Sequence, residues 1–330
     1  MNDIITDPID LQRAYTHRDG FVFTALIEPA NVFDAIVIRN PEISNCWSPR
    51  LGISALSLEE HIEYINKHRV EKAVVIAENI AFITRCPSLS YLQIMPADTA
   101  QNGFDYSPLY EMPHMRFLTC ATAYGRQEKL QTSIDYSKVK GLKDLSISAS
   151  MGDMNYNQVS TLKRIQISHF RGKSLESLFS SEDMKEIVIP QSAIHVLSGI
   201  DRARNLDSAT LCYNKSLSDV SALENISHSL RVLCIENCPA IHDFSSLKRL
   251  INLEHLQLCG GNTLPDLSFV YAMKRLKSFV FTMDVRDGDL SPCLHLAYAD
   301  CGRSRRHFNL RNIDLPKGTF DVNSIDIYSS

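Results

Sequence analysis

Apolar residues recur along this chain in a short fixed pattern. In LEHLQLCGG, residues 253–261, Leu253, Leu256 and Leu258 are spaced L-x-x-L-x-L. Leu256 and Leu258 flank Gln257, the two-residue period of a strand with one buried face. The pattern returns upstream as Leu230–Leu233–Ile235, Leu206–Ala209–Leu211, Met184–Ile187–Ile189 and Leu162–Ile165–Ile167. Further upstream come Leu142–Leu145–Ile147, Met115–Leu118–Cys120 and Leu89–Leu92–Ile94, and downstream Leu276–Phe279–Phe281. Starts from 89 to 276 give eight intervals over 187 residues, about 23 each. A unit that short cannot bury its apolar face alone, so stacked neighbours must make the core.

The connecting segments repeat as well. DYSPLYEMPHM (105–115), DVSALENISHSL (219–230), DFSSLKRLINL (243–253) and DLSFVYAMKRL (266–276) each open on Asp, an apolar residue and Ser. Asp and Ser side chains accept backbone N–H bonds at the start of a turn or short helix. Each unit therefore reads as a strand, a turn, and a short helical or 3-10 return.

These residues resemble the leucine-rich repeat family, in its short-repeat, internalin-like subclass. Three positions after the last tooth the family places Asn or Cys, which bonds backbone groups at the turn. Asn214 and Cys238 stand there, with Leu217 and Ile241 three further on; Ser150, Ser192 and Gly261 stand there in other repeats. The resemblance covers about 85–300. It implies an α/β solenoid, a horseshoe with a parallel concave sheet and short helical or 3-10 convex segments. About nine to ten repeats are expected, with caps at both ends. The expected division is an N-terminal cap with degenerate repeats (1–84), the array (85–290) and a C-terminal cap (291–330).

The N-terminal flank is less periodic. VFDAIVIRN predicts a strand over Val32–Arg39. SLEEHIEYINKH (57–68) predicts a helix, with Ser57 as N-cap and Glu59 and Glu60 in the first turn. VEKAVVIAEN (70–79) reads as a strand in one of two registers, Val70–Ala73–Val75 or one residue shifted. The polar, basic CGRSRRHFNLRNIDLPKG (301–318) is expected to hold a final irregular strand.

Side chains alternating with the teeth point away from the core. The first such column is Tyr91, Phe117, Asp144, Arg164, Glu186, Ser208, Val232, His255 and Ser278. The second is Gln93, Thr119, Ser146, Gln166, Val188, Thr210, Cys234, Gln257 and Val280, without a charge. The third is Met95, Ala121, Ser148, Ser168, Pro190, Cys212, Glu236, Cys259 and Thr282. Aromatics and Arg are the residue types enriched in interface hot spots. The candidates for partner contact are Tyr91, Phe117, Asp144, Arg164, Glu186 and His255 in the first column. Gln166 and Gln257 in the second, Glu236 in the third, and Tyr213 complete the set.

Composition narrows the function. The chain has 330 residues, 44% hydrophobic and 22% charged, with a formal net charge of -4. That charge gives no electrostatic footprint for nucleic acid or an anionic membrane. No apolar run approaches the roughly 18 residues of a membrane span. The acidic start MNDIITDPIDLQRAY lacks a secretory head, and nine scattered cysteines read as reduced thiols. The expected setting is cytoplasmic.

Catalytic chemistry is sparse. Cys238 and His242 are spaced as C-x-x-x-H, but Cys238 is explained by its turn position. His61 and His68 lie two turns apart on the predicted helix, without the i, i+4 pairing of metal ligands, and a solvated helix face accounts for them. DVRDGD (284–289) has calcium-loop-like acids without the terminal Glu, and reads as a loop at the array's end. GRSRRH (302–307) is a short basic run expected to be a solvated cap. The expectation is no cofactor, no metal and no enzyme activity. The protein reads as an intracellular scaffold holding a protein partner on its concave face, more readily monomeric than dimeric. An inhibitor or bacterial toxin-immunity protein is one specific form. The alternative is an enzyme or effector with a catalytic site in the N-terminal region, where Cys46 beside Trp47 is the candidate nucleophile.

Overall fold

The computed structural model describes residues 15–24, 34–39, 54–96, 104–120, 134–148, 155–179 and 182–321. The chain forms two compact units, Met1–Tyr156 and Asn157–Ser330.

The first unit opens with a hairpin. Strands β1 (Tyr15–Arg18) and β2 (Phe21–Thr24) are antiparallel. They are joined by Asp19 and Gly20 at φ 53° and 84°, the two left-handed residues that a tight hairpin turn requires. β2 pairs antiparallel with β3 (Ala35–Arg39). Helix α1 (Leu58–His68) then leads to β4 (Lys72–Ala77), parallel to β3. Parallel strands β5 (Tyr91–Pro96), β6 (Phe117–Cys120) and β7 (Asp144–Ser148) follow.

α1 forms where its sequence signals place it. The Ser57 Oγ accepts from the Glu60 N–H at 3.3 Å, and the Glu60 carboxylate accepts from the Ser57 N–H at 2.7 Å. This reciprocal cap satisfies two amides at the helix start. The expectation of a solvated face fails at His61. Its ring is 3% exposed, set edge-on to Phe21 at 5.0 Å, with Nδ1 bonded to the Ser57 carbonyl at 2.8 Å. The helix packs its His61, Ile62 and Ile65 stripe inward, so His61 belongs to the core. His68 is exposed, its ring tilted against Tyr64 at 4.3 Å.

β4 takes the Val70–Ala73–Val75 register, with Ala73 opposite Leu92 and Val75 opposite Ile94. Its other face is buried too. Val74 and Ile76 join Val22, Ala35, Val37 and Met95 in a separate apolar cluster, against which Tyr91 packs.

The second unit continues the same construction. Parallel strands β8 (Arg164–Ser168), β9 (Glu186–Pro190), β10 (Ser208–Cys212), β11 (Val232–Glu236) and β12 (His255–Cys259) lie side by side. A two-residue pair, β13 (Thr263–Leu264) with β15 (Asp284–Val285), sits beside the array. Strand β14 (Ser278–Phe281) pairs with β12, and β16 (Tyr298–Asp300) with β14. The last strand therefore precedes 301–318, where one was expected. That stretch holds a 3-10 turn at Asn312–Asp314 and an antiparallel bridge from Lys317 to Tyr298.

Every tooth of the repeat points inward: all 27 side chains from Leu89 to Phe281 are at most 5% exposed. Each tooth's three residues contribute roughly 1.5–3 kcal/mol apiece before entropy is subtracted. The returns are short 3-10 segments such as Ser221–Ile226 and Ser245–Arg249, or single-turn helices α2 (Pro108–Glu111) and α3 (Phe269–Ala272). The recurrent Asp starts them. Asp219, Asp243 and Asp266 accept the N–H of the Ser two residues on at 2.7–2.8 Å. The hydroxyls and amides of those serines hold the three carboxyls below the usual range.

The Asn/Cys position works as a rung between repeats. Asn214 is fully buried; its Nδ2 donates to the Ile189 carbonyl at 2.8 Å and its Oδ1 accepts from the Ser192 N–H at 2.7 Å. The Ser192 hydroxyl accepts from the Phe170 N–H at 3.0 Å. Cys238 donates weakly to the Leu211 carbonyl at 3.5 Å. Gly261 stands at this position in its repeat and has no side chain to make the bond. The next residue, Asn262, donates instead to carbonyls of the preceding turn, reaching that of Ile241 at 2.7 Å. The turn after β12 keeps its neighbours' spacing, with Leu264 six residues after Leu258 as Ile241 is after Ile235, and Gly260 at φ 141° lies close to Asn237. Ser150 and Ala121 lie outside the described residues. Among the described residues, no helix is long and apolar enough to cross a membrane.

Candidate functional site

The strand register aligns the outward columns residue for residue. In the first unit Tyr91, Phe117 and Asp144 are successive partners across β5, β6 and β7. In the second, Arg164, Glu186, Ser208, Val232, His255 and Ser278 are successive partners, extended to Tyr298. The second column runs Gln166, Val188, Thr210, Cys234, Gln257, Val280 and Asp300.

The two columns differ in accessibility. Much of the first is buried. Phe117 is 8% exposed and lies near-parallel to Tyr91, ring centres 6.4 Å apart. The Lys72 ammonium sits 5.5 Å from the Tyr91 ring and pairs with Asp34 at 2.7 Å. Arg164 is 4% exposed, its guanidinium 3.2 Å from the Glu186 carboxylate and 3.3 Å from the Gln166 amide oxygen. His255 is 6% exposed. Its Nδ1 meets the Ser278 hydroxyl at 3.0 Å and its ring stacks on Phe320 at 5.8 Å. Burial pushes its pKa down to about 4, so it is neutral at pH 7.

The second column stays half-exposed from Gln166 to Val280, and carries no charge over those six strands. Neighbouring strands lie about 4.8 Å apart, so the row spans roughly 24 Å. Asp144, Glu186 and Glu236 are half-exposed. Tyr213 is not on a strand. It occupies the turn after β10 at φ 57°, 47% exposed, with its hydroxyl donating to Glu236 at 2.8 Å. Thus Tyr213 and Glu236 come together, as do Arg164, Glu186 and Gln166.

A further row went unread in the sequence. From β9 to β12 and at β14, the residue before each strand carries alternating charge: Lys185, Asp207, Arg231, Glu254 and Lys277. Lys185 lies 3.4 Å from Asp207, and Arg231 and Lys277 each lie 2.7 Å from Glu254. Burial pushes the Glu254 carboxyl up, but Lys277 and Arg231 outweigh it and hold it below the usual range. The signal was available as charge at the first x of L-x-x-L-x-L in five successive repeats.

The catalytic and metal candidates fall elsewhere. Cys238 is fully buried and its thiol is pushed up to about 11, while His242 is exposed. Asp284 pairs with Arg305 and His307 at 3.2 Å, and Asp289 accepts the Ser291 N–H at 3.0 Å. The acids of 284–289 therefore bond to the protein's own side chains and turns. Cys46 and Trp47 lie outside the described residues.

Stacked strand–turn–return units with an inward L-x-x-L-x-L and an Asn/Cys rung define a leucine-rich repeat fold. Similar solved structures include an internalin (InlF) from Listeria monocytogenes, 18% identical at a TM-score of 0.48. That match covers 71% of this chain and 68% of the other. The functional domain of InlJ, also from Listeria monocytogenes, is 12% identical at 0.44, covering 73% of this chain and 49% of that one. A leucine-rich repeat protein from Leptospira interrogans is 15% identical at 0.45, covering 78% and 60%. This chain thus spans less than two thirds of the latter two. No protein-family model matches the sequence, and no curated protein does.

Proposed function

We propose that this chain is a non-catalytic protein-binding scaffold that holds a protein partner on the outward face of its repeat strands. The observation that carries this reading is the uncharged, half-exposed row Gln166, Val188, Thr210, Cys234, Gln257 and Val280. Such a row costs little to desolvate, and charged positions beside it, Glu186 and Glu236, set orientation. Extended faces of this kind are the surfaces that repeat scaffolds use. The eight described cysteines are all free thiols, which supports a reducing, cytoplasmic setting.

The test is capture of partners from native lysate by the full chain and by Thr210→Arg/Gln257→Arg. Both sites are half-exposed, so the variant is expected to fold normally. Loss of one enriched protein with an unchanged melting curve supports the face; retention of every partner contradicts it. If the captured protein is a toxin whose activity falls on binding, the inhibitor form of this reading follows.

A further inference from the structure

The loop after β16 folds into a cleft of about 480 Å³ lined by Thr282, Gly302, Arg303, Ser304, Arg305 and Arg306. At ~30 Å³ per water, this is room for far more than a single small anion. The loop is held from below. Arg305 pairs with Asp284 at 3.2 Å and donates to the Thr282 carbonyl at 3.3 Å. His307 bonds the Val285 carbonyl at 3.0 Å, and the Ser304 hydroxyl accepts from the Asn312 N–H at 2.8 Å. Asn309 ties the far end to Asp289 at 2.6 Å and to the Leu290 N–H at 2.8 Å.

The side chains of Arg303 and Arg306 take no part in this anchoring. Both are exposed, and among the described residues neither side chain has a hydrogen-bond or ion-pair partner; the Arg303 backbone N–H donates to the Cys301 carbonyl at 2.6 Å. The cleft therefore presents two unspent guanidinium groups on a fixed loop, in a chain whose net charge is -4. A guanidinium fork matches a carboxylate, and an anchored loop has little ordering entropy left to lose. Among the described residues no aromatic side chain lines the cleft, so they give it no stacking platform of the kind that holds single-stranded nucleic acid. Thr282 directly follows β14, so the cleft begins at the end of a repeat strand.

We infer that this cleft receives an acidic peptide segment, its carboxylates paired with Arg303 and Arg306. This deepens the partner-binding reading and rests on it: the partner carries an acidic stretch beside the surface that meets the strands.

The test is fluorescence anisotropy of labelled hexaglutamate against the full chain at low salt. Saturable binding is expected, weakened about tenfold or more by Arg303→Glu/Arg306→Glu, an effect of charge-assisted bonds. Arg303→Gln/Arg306→Gln is expected to weaken it in the same direction. Lys248→Glu/Arg249→Glu, reversing two exposed charges on another segment, is expected to leave it unchanged. Melting curves of all three variants are expected to match the parent. Absence of hexaglutamate binding, or equal binding by the Arg303 and Arg306 variants, overturns the inference. So does tighter Arg-dependent binding of an oligothymidylate, which would make the cleft a phosphate site. Thr210→Arg/Gln257→Arg is expected to keep hexaglutamate binding. Failure of partner capture with peptide binding retained therefore contradicts the strand face and spares the cleft.

Discussion

Strands β4 and β12 share one repeat register and differ in what covers them. In β12, HLQLC, Leu256 and Leu258 are fully buried and Gln257 between them is half-exposed. In β4, KAVVIA, Ala73 and Val75 face the repeat core while Val74 and Ile76 are buried on the opposite side. A strand buried on both faces reads as a continuous apolar run, whereas one with a wet face alternates. The outward face therefore has two characters. At β4 it is core, joined to the β1–β2 hairpin through Val22; at β12 it is surface, open at Gln257.

The sharpest way to break this comparison is to place a charge on each face of β4. Val74→Asp and Val75→Asp are both expected to cost about 4 kcal/mol or more, since each buries an unpaired carboxylate. Chemical denaturation checks this; a mild effect for Val74→Asp would return the β4 outward face to solvent. A smaller loss is expected from Asn214→Ala, about 2 kcal/mol. It strands the buried Ile189 carbonyl and Ser192 N–H.

A pH effect at His255 sharpens the comparison from the second unit. Its folded pKa, about 4, lies below the unfolded value of about 6.5, so the unfolded chain binds the proton first. The stability this group contributes is present above about pH 6.5 and lost as pH falls towards about 4. His255→Gln is expected to flatten that part of the stability–pH curve, read from denaturation midpoints. An identical slope in the variant would mean that His255 is not buried as described.

Where one side of a strand is wet, the sequence showed its plan. Leu256, Gln257 and Leu258 announce their faces, and the Asp–Ser starts announce their turns. The register of β4 stayed ambiguous because both of its faces are apolar. His61 misled because a histidine among Glu59, Glu60 and Glu63 looks solvated, yet the hairpin's Phe21 covers it, a contact 40 positions away in sequence. Gly261 stands where the spacing places the rung but carries no side chain, and spacing alone cannot show that the amide of the next residue, Asn262, reaches a turn carbonyl. Alternation identified Phe117, Arg164 and His255 as outward-facing. Their burial comes from lateral partners, Tyr91, Glu186 and Phe320, which a periodic pattern does not encode.

The central claim is a division of labour between adjacent residues on one strand, some holding the array and others left for binding. Matched chemical denaturation of Leu256→Asp and Gln257→Asp tests it most directly. The account predicts that Leu256→Asp unfolds its repeat together with neighbouring repeats, since stability passes between neighbours. It predicts that Gln257→Asp stays within about 0.5 kcal/mol of the parent. Equal losses for the two, or an unchanged transition for Leu256→Asp, would contradict the register.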